Sequence, residues 1–300
     1  ENPMNTPALR YLLAVSRLRT LPLAAASILC GGYLALVQGN FRPGILLLCL
    51  ATAVALQIFS NLANDYGDAQ NGADHNGRQG PARMVASGLL SAAAMRRALL
   101  IMALLCCLLG ILLLSTALSF SAIGWLFWLA VGAACILAAY RYTADSQPYG
   151  YAGWGDAAVC LFFGWVGVLG SAYLQTGDFE ASALLPATAL GLWCSMVLNL
   201  NNMRDIRSDL AAGKLTVAAR LGLPLAIHYH HVLALSAAAL WTIWLIILPA
   251  TPLWPHFVLW LLTGFHLFQV RQVNGYAFDP LLPRWSLSIL LWSVLLCFSA

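Results

Sequence analysis

Two short runs concentrate the residues that could do chemistry. The first reads Ser60-Asn61-Leu62-Ala63-Asn64-Asp65-Tyr66-Gly67-Asp68-Ala69-Gln70-Asn71-Gly72-Ala73-Asp74, and the second reads Asn199-Leu200-Asn201-Asn202-Met203-Arg204-Asp205-Ile206-Arg207-Ser208-Asp209. Each continues an apolar stretch, so each is expected to begin as helix. Positions three and four apart share a helix face. That gathers Asn61, Asn64, Asp65 and Asp68 into one polar stripe, and Asn202, Asp205 and Asp209 into another. Carboxylates one turn apart repel each other unless a cation lies between them. Oxygen-only donors suit a hard cation, and Mg²⁺ takes a couple of carboxylates, waters and phosphate oxygens rather than a full protein cage. Asp65, Asp68, Asp205 and Asp209 are therefore candidate Mg²⁺ ligands, with Mn²⁺ as a possible substitute. Arg78, Arg83, Arg204, Arg207 and Lys214, the chain's only lysine, supply the anion-binding half. A diphosphate held by Arg78, Arg83, Arg204 and Lys214, with Asn61, Asn64 and Asn202 beside it, fits that pairing of charges.

The two runs share a spacing. Asn61/Asn64/Asp68 and Asn202/Asp205/Asp209 both read 0, +3, +7, and the second copy lies 141 residues after the first (61 to 202). Such a pattern suggests an internal duplication that sets the clusters facing each other across a pseudo-symmetric bundle. One Asp at a helix end would be explained by ordinary solvation. Two matched Asn-rich clusters that begin inside apolar segments are not, because ionisable groups at membrane depth are costly and functional by default.

The elements that must position these groups are membrane helices. Of 300 residues 61% are hydrophobic and 9% charged, with a mean hydropathy of +0.79. Soluble domains carry about a quarter charged residues, so this composition cannot cover a water-facing surface. Nine apolar segments of the length a bilayer needs fall at about 18–38, 43–64, 97–117, 119–140, 155–175, 181–203, 226–248, 253–271 and 284–299. The expected fold is all-α: nine transmembrane helices bundled around a cytoplasm-facing central cavity, one domain over 1–300. Glu1-Asn2-Pro3 ahead of Met4 read as an added remnant, and no cleavable signal peptide is recognised. With nine spans, one set of loops holds all but one of the 15 basic residues, and the opposite set holds Arg42 alone. The positive-inside rule then puts the N-terminus in the cytoplasm and the C-terminus in the periplasm. The eight cysteines lie in spans without metal-type spacing and read as core filler. His228, His230 and His231 at the start of the seventh span are weak metal candidates. No nucleic-acid partner is expected.

Asn64-Asp65-x-x-Asp68 with Asp205-x-x-x-Asp209 resembles the paired Asp-rich motifs of the UbiA-type intramembrane aromatic prenyltransferases. Ser16-Arg17-Leu18-Arg19-Thr20-Leu21-Pro22, Gly80-Pro81-Ala82-Arg83, Tyr142-Thr143, Pro148-Tyr149-Gly150-Tyr151-Ala152-Gly153-Trp154-Gly155-Asp156 and Asn201-Asn202-Met203-Arg204-Asp205 are similar to the 1,4-dihydroxy-2-naphthoate branch of that family, over about residues 16–222. Many relatives carry a third acid four residues after the Asp68 position. Here that place is Gly72, and Asp74 follows it. The resemblance implies nine helices in a bacterial inner membrane and a cytoplasm-facing site for Mg²⁺ and a polyprenyl diphosphate. It implies transfer of the prenyl group to 1,4-dihydroxy-2-naphthoate with loss of diphosphate and CO₂, giving a demethylmenaquinol. Membrane lipid would surround the prenyl tail. Within that reading Arg19, Tyr142, Tyr149 and Asp156 are candidates for holding the aromatic acceptor, with Asp156 also able to orient or deprotonate a ring hydroxyl. Arg17 could hold the acceptor carboxylate or the diphosphate. A different acceptor such as 4-hydroxybenzoate, or a cation-coupled transporter of an anion, are the alternatives.

Overall fold

The computed structural model of the protein describes residues 11, 15–71, 84–119, 121–248 and 252–300. Each of the nine apolar segments is a helix. They are α1 (Leu21–Val37), α2 (Pro43–Gln70), α3 (Ala92–Ala117), α4 (Ala122–Arg141), α5 (Gly155–Thr176), α6 (Leu184–Ala211), α7 (Val217–Ile247), α8 (Trp254–Val270) and α9 (Leu281–Ser299). Among the described residues seven helices are long and apolar enough to cross a membrane, and α1 is a shorter apolar one. Unpaired backbone groups cannot be left in hydrocarbon, which is why this composition resolves into helices. The chain is a multi-pass membrane protein.

Local signals set the helix ends. Ser91, Ser121 and Thr216 cap α3, α4 and α7 by accepting from the amides of Ala94, Gly124 and Ala219 at 3.2, 3.3 and 3.2 Å. Such caps satisfy amides that the first turn leaves open. Pro43 opens α2, where its missing N–H costs nothing. The structure departs from the sequence-predicted bounds mainly by extension: α2 and α6 run on through their Asn/Asp clusters to Gln70 and Ala211. Helix α7 begins at Val217 rather than near 226, with a break at Gly222, whose φ is 71°. The middle of α5, Cys160–Leu169, is wound as π-helix.

Both ends of α6 stand 141 positions after the matching ends of α2 (43 to 184, 70 to 211), and each helix has 28 residues. The spacing shared by six side chains thus extends to the bounds of a whole helix.

The interior divides in three. One core gathers α1, α5, α6, α7, α8 and α9 around the fully buried Trp193, Trp241, Trp244, Trp285 and Trp292. A second joins α2 and α3 through Phe59, Leu62, Met95 and Leu99, and a third joins α1, α2, α3 and α5 through Ile28, Ile45, Leu113 and Leu174. Helix α5 lies close on α6 because Gly164 faces the Ala187 carbonyl and Gly191 faces Cys160; a Cβ at Gly191 would come within 2.7 Å of the Cys160 oxygen. Small residues at such crossings let backbones approach in lipid. Helix α4 has no buried residue, and Ile123 and Leu126 stand almost fully exposed on it. In a bilayer those faces are the lipid contact. Between these cores lies a cavity of about 630 Å³ bounded by α1 to α6.

Candidate functional site

One end of this cavity is polar and the remainder is apolar. Arg17, Arg19, Asn61, Asn64, Asp68, Tyr142, Tyr149, Asn202 and Lys214 line the polar end. Leucines, Phe162, Phe163 and Trp128 line the bore beyond it. The structure therefore brings together residues from both Asn/Asp runs, from the turn before α1 and from the loop between α4 and α5.

Lys214 reaches this place through the end of α6. Gly213 takes a left-handed φ of 69°, and the Lys214 amide donates back to the Asp209 carbonyl at 2.8 Å. Glycine makes that reversal without strain. The Lys214 ammonium then stands 5.2 Å from the centre of the Tyr151 ring. The Tyr151 hydroxyl donates to Asp68 at 2.8 Å, and its carbonyl accepts from the Leu215 amide at 2.9 Å. Tyr151 so joins the end of α2 to the turn after α6. The α4–α5 loop is clamped on α2 as well. Thr143 donates to Asn64 Oδ1 at 3.1 Å, and Asn71 donates to the Thr143 carbonyl at 2.7 Å. Gly67 permits this approach: a Cβ there would sit 2.5 Å from the Ala144 nitrogen.

The four carboxylates do not share one orientation. Asp68 faces the cavity. Asp65 is 2% exposed and accepts the amides of Met84 and Val85 at 3.2 and 3.1 Å. At about 100° per residue, positions 64 and 65 fall on opposite flanks of the line through 61 and 68. The single stripe expected from the sequence is thus split, with Asp65 turned to the 84–85 turn. Asp205 receives Arg204 through two hydrogen bonds, Nε at 2.8 Å and Nη2 at 2.6 Å. Asp209 is 8% exposed beside Tyr142. Neither Asp65, Asp205, Asp209 nor Arg204 lies on the cavity wall. Among the described residues no three His, Cys, Asp or Glu side chains form a group able to hold a metal by themselves.

The asparagines also divide. Asn61 donates to the Ser16 carbonyl at 2.8 Å and to Thr20 Oγ1 at 3.0 Å, so it fixes the turn that carries Arg17 and Arg19 over the mouth. Arg17 itself has a φ of 46°, rare for a residue with a side chain. Asn64 and Asn202 remain on the wall.

Tyr142 and Tyr149 meet edge to face at 5.4 Å. Burial pushes the Tyr142 phenol well above its usual pKa, and the charges of Asp156, Asp68 and Asp209 push the same way. Three acids from α5, α2 and α6 therefore surround one phenol. Burial raises Tyr149 to about 12, and its hydroxyl donates to the Ala138 carbonyl at 2.9 Å. Asp156 accepts from Tyr229 at 3.3 Å, just behind the wall formed by Gly155 and Ala158. Arg78, Arg83, Asp74 and the Gly80-Pro81-Ala82-Arg83 motif lie outside the described residues.

One participant was not singled out from sequence. Asp279, in the turn before α9, accepts from Arg19 Nη1 at 3.1 Å through each carboxylate oxygen and also from Arg204 Nη1. The only signal available was scarcity: Asp279 is one of eleven acids in the chain and stands in a basic-side loop. His230 turns out to be fully buried, paired with Asn199 and His266 at 3.2 and 3.0 Å, away from the cavity.

A sequence profile of the UbiA prenyltransferase family matches residues 24–297. The chain belongs to the UbiA prenyltransferase family. It is 42% identical over 280 residues to 1,4-dihydroxy-2-naphthoate octaprenyltransferase of Escherichia coli (strain K12), covering 89% of this chain and 87% of that one. It is 44% identical over 229 residues to the protein of the same name from Haemophilus influenzae, covering 75% and 73%. The solved structure of a UbiA homologue from Archaeoglobus fulgidus bound to GPP and Mg²⁺ matches with a TM-score of 0.63 over 98% of this chain and 100% of that one, at 14% identity. That likeness concerns the fold. A polar-ended cavity enclosed by six helices is the part of this UbiA-family chain in which its side-chain chemistry gathers.

Proposed function

We propose that the protein transfers a polyprenyl group from an allylic polyprenyl diphosphate to 1,4-dihydroxy-2-naphthoate, with release of diphosphate and CO₂ to leave a demethylmenaquinol. The observation that carries this reading is the cavity itself, where a cationic, amide- and carboxylate-lined end passes directly into an apolar bore. Its two halves match the two halves of a prenyl diphosphate. Relatives at 42% and 44% identity that bear the naphthoate transferase name support the choice of acceptor.

The donor chemistry fits Mg²⁺. Among the described residues no three acids form a preformed group, so the ion would arrive with the diphosphate and keep waters, as Mg²⁺ prefers. Asp68, with Asn64 and Asn202 beside it, would hold it at the cavity wall; Asp209 and Asp205 would complete the site from α6, and Asp65 would support it from behind. When bound, the ion neutralises charge that builds on the leaving diphosphate. Lys214 and Arg19 place two further cations at that end, where low dielectric strengthens them. Asn61 orients the turn bearing Arg17 and Arg19. Arg204 fixes the orientation of the Asp205 carboxylate through their paired hydrogen bonds. Arg78 and Arg83 would add to the anion clamp from the loop after α2.

As the C–O bond breaks, its electron pair leaves with the diphosphate. The allylic carbon is then taken by the electron-rich ring, and the ring carboxyl departs as CO₂. The apolar bore keeps water from that carbon. Tyr142 and Tyr149, neutral phenols at working pH, donate or accept hydrogen bonds at the acceptor, and Asp156 stands where it can orient or deprotonate a ring hydroxyl through α5. The polar end opens to the cytoplasm, where diphosphate and Mg²⁺ are supplied; the loops carrying the basic residues lie on that side of the bacterial inner membrane, and one integral unit spans the chain. Polar groups gather at one end of the cavity, not at mid-depth as transport sites do, so the transporter reading is dropped.

The test is incubation of the purified protein in lipid with Mg²⁺, farnesyl diphosphate and an equimolar mixture of dihydroxynaphthoate and 4-hydroxybenzoate. Mass spectrometry should find prenylated, decarboxylated naphthoquinol as the dominant product, and Mn²⁺ should replace Mg²⁺. Prenylated hydroxybenzoate in excess would reassign the acceptor.

A further inference from the structure

We propose that Asp279 is a positioning residue for the diphosphate end of the cavity, acting through Arg19 and Arg204. The inference rests on the proposed function and adds a third acidic element to it, supplied by the turn before α9.

The geometry is specific. Asp279 receives Arg19 through both carboxylate oxygens at 3.1 Å and receives Arg204 as well. The two arginines come from distant parts of the sequence, 260 and 75 residues before Asp279. Arg19 lines the cavity, with its side chain 24% exposed. Arg204 is buried, its side chain closed off from solvent, and the rest of its guanidinium is spent on Asp205 and on Asn201 Oδ1 at 2.8 Å. Asp279 is therefore the shared acceptor between a cation that faces the substrate and a cation that sets an acid of the second Asn/Asp run.

The turn is built to hold that carboxylate still. Phe278 is fully buried in the core beside α6. Gly275 has a φ of 51°, and the Asp279 amide donates to the Tyr276 carbonyl at 2.9 Å. Pro280 follows and leads into α9. This carboxylate is not an exposed surface partner, whose ion pairs contribute little: its side chain is 17% exposed and that of Arg204 is closed off from solvent.

The charges of Arg19, Arg204, Asp205 and Asp279 cancel as a set. Binding a diphosphate draws Arg19 toward the anion. With Asp279 present the guanidinium is already oriented; without it, Arg19 must be ordered at the moment of binding, and Arg204 loses the anchor that keeps Asp205 aimed. The expected consequence falls on affinity for the prenyl diphosphate more than on the chemical step.

The experiment compares wild type with D279N and D279E in lipid, using a non-reactive prenyl diphosphate analogue, farnesyl thiodiphosphate, with Mg²⁺. In D279N the analogue Kd and the KM for prenyl diphosphate should rise about tenfold, the scale of one charge-assisted hydrogen bond. The KM for the aromatic acceptor should stay within about threefold and kcat should fall less than KM rises. D279E should recover most of the lost affinity. If D279N does not yield folded protein, Asp279→Ser carries the same expectations. Unchanged analogue affinity in the neutral variant overturns the proposal. So does an equal loss for both substrates that D279E fails to relieve, which marks a merely structural turn. Failure of the wild-type protein to bind the analogue at all would instead overturn the proposed function.

Discussion

Asp68 faces the cavity and accepts from Tyr151, whereas Asp65, three residues earlier, accepts two backbone amides of the turn after α2. Their substitutions should therefore differ. Asp68→Asn is expected to lower turnover at least about a hundredfold with little change in melting temperature, since in the proposed reaction its charge would hold the Mg²⁺ that neutralises the leaving diphosphate. Asp65→Ala strands two buried amides and should cost about 1–3 kcal/mol of stability, read as a lowered thermal midpoint in detergent. Equal melting of the two variants would contradict this division. The phenols give a pH prediction. An unfolded tyrosine titrates near pH ~10, while folding raises Tyr149 to about 12 and Tyr142 further. The folded state thus favours the protonated phenol. Its stabilisation is whole below pH ~10 and is lost as pH climbs through about 12 for Tyr149. Melting temperatures measured upward from neutral pH should fall in that window, less steeply for Tyr149→Phe. The spacing of Asn64, Asp65 and Asp68 was legible because helical periodicity acts over a few residues. The role of Asp279 was not, because its two partners lie 260 and 75 residues away and meet it only through the fold.

Helices α2 and α6 carry the same lesson at the next scale. Apolar runs ending in polar clusters marked both, and the repeat of 141 positions in the motif reappears in both helix ends. The contacts between their C-terminal ends could not be read, since they pass through the α4–α5 loop. Tyr151 touches Asp68 and stands under Lys214, and Thr143 touches Asn64. Gly67 is the hinge of this arrangement. In Gly67→Ala the new methyl would meet the Thr143–Ala144 backbone, which cannot swing aside as a side-chain tip would. The loop should lift from α2, carrying Tyr142 and Tyr149 away from the mouth. The expected result is a rise of about tenfold or more in the acceptor KM with a smaller effect on diphosphate affinity, the reverse of the split expected for Asp279→Asn. Steady-state kinetics with each substrate varied in turn decides it. The π-wound stretch of α5 had no sequence signature; an extra residue per turn is absorbed there where Phe162 and Phe163 meet the cavity.

For the molecule as a whole, hydropathy located each of the helices α1 to α9, and the bilayer explains why: each segment must satisfy its own backbone in lipid. A central cavity was expected, but its full lining escaped that reading because it lies between apolar clusters whose boundaries no single segment records. Orientation remains the property that links this architecture to its substrates. Under the proposed function, diphosphate and Mg²⁺ would enter from the cytoplasm at the end bearing Lys214, Arg19 and Asp68, and the positive-inside expectation from the basic residues favours the same side. Two exposed positions test both arguments at once. Ser146 lies in the α4–α5 loop at the polar end, and Asn40 lies in the turn between α1 and α2 beside Arg42. In intact cells whose outer membrane has been made permeable, a membrane-impermeant maleimide should label Asn40→Cys above the background of the native cysteines. Ser146→Cys should react only after the inner membrane is opened. Labelling in the opposite order would turn the site toward the periplasm and remove its supply of prenyl diphosphate. Labelling of both in intact cells would mean that α1 to α4 do not hold the bilayer as their length and composition require.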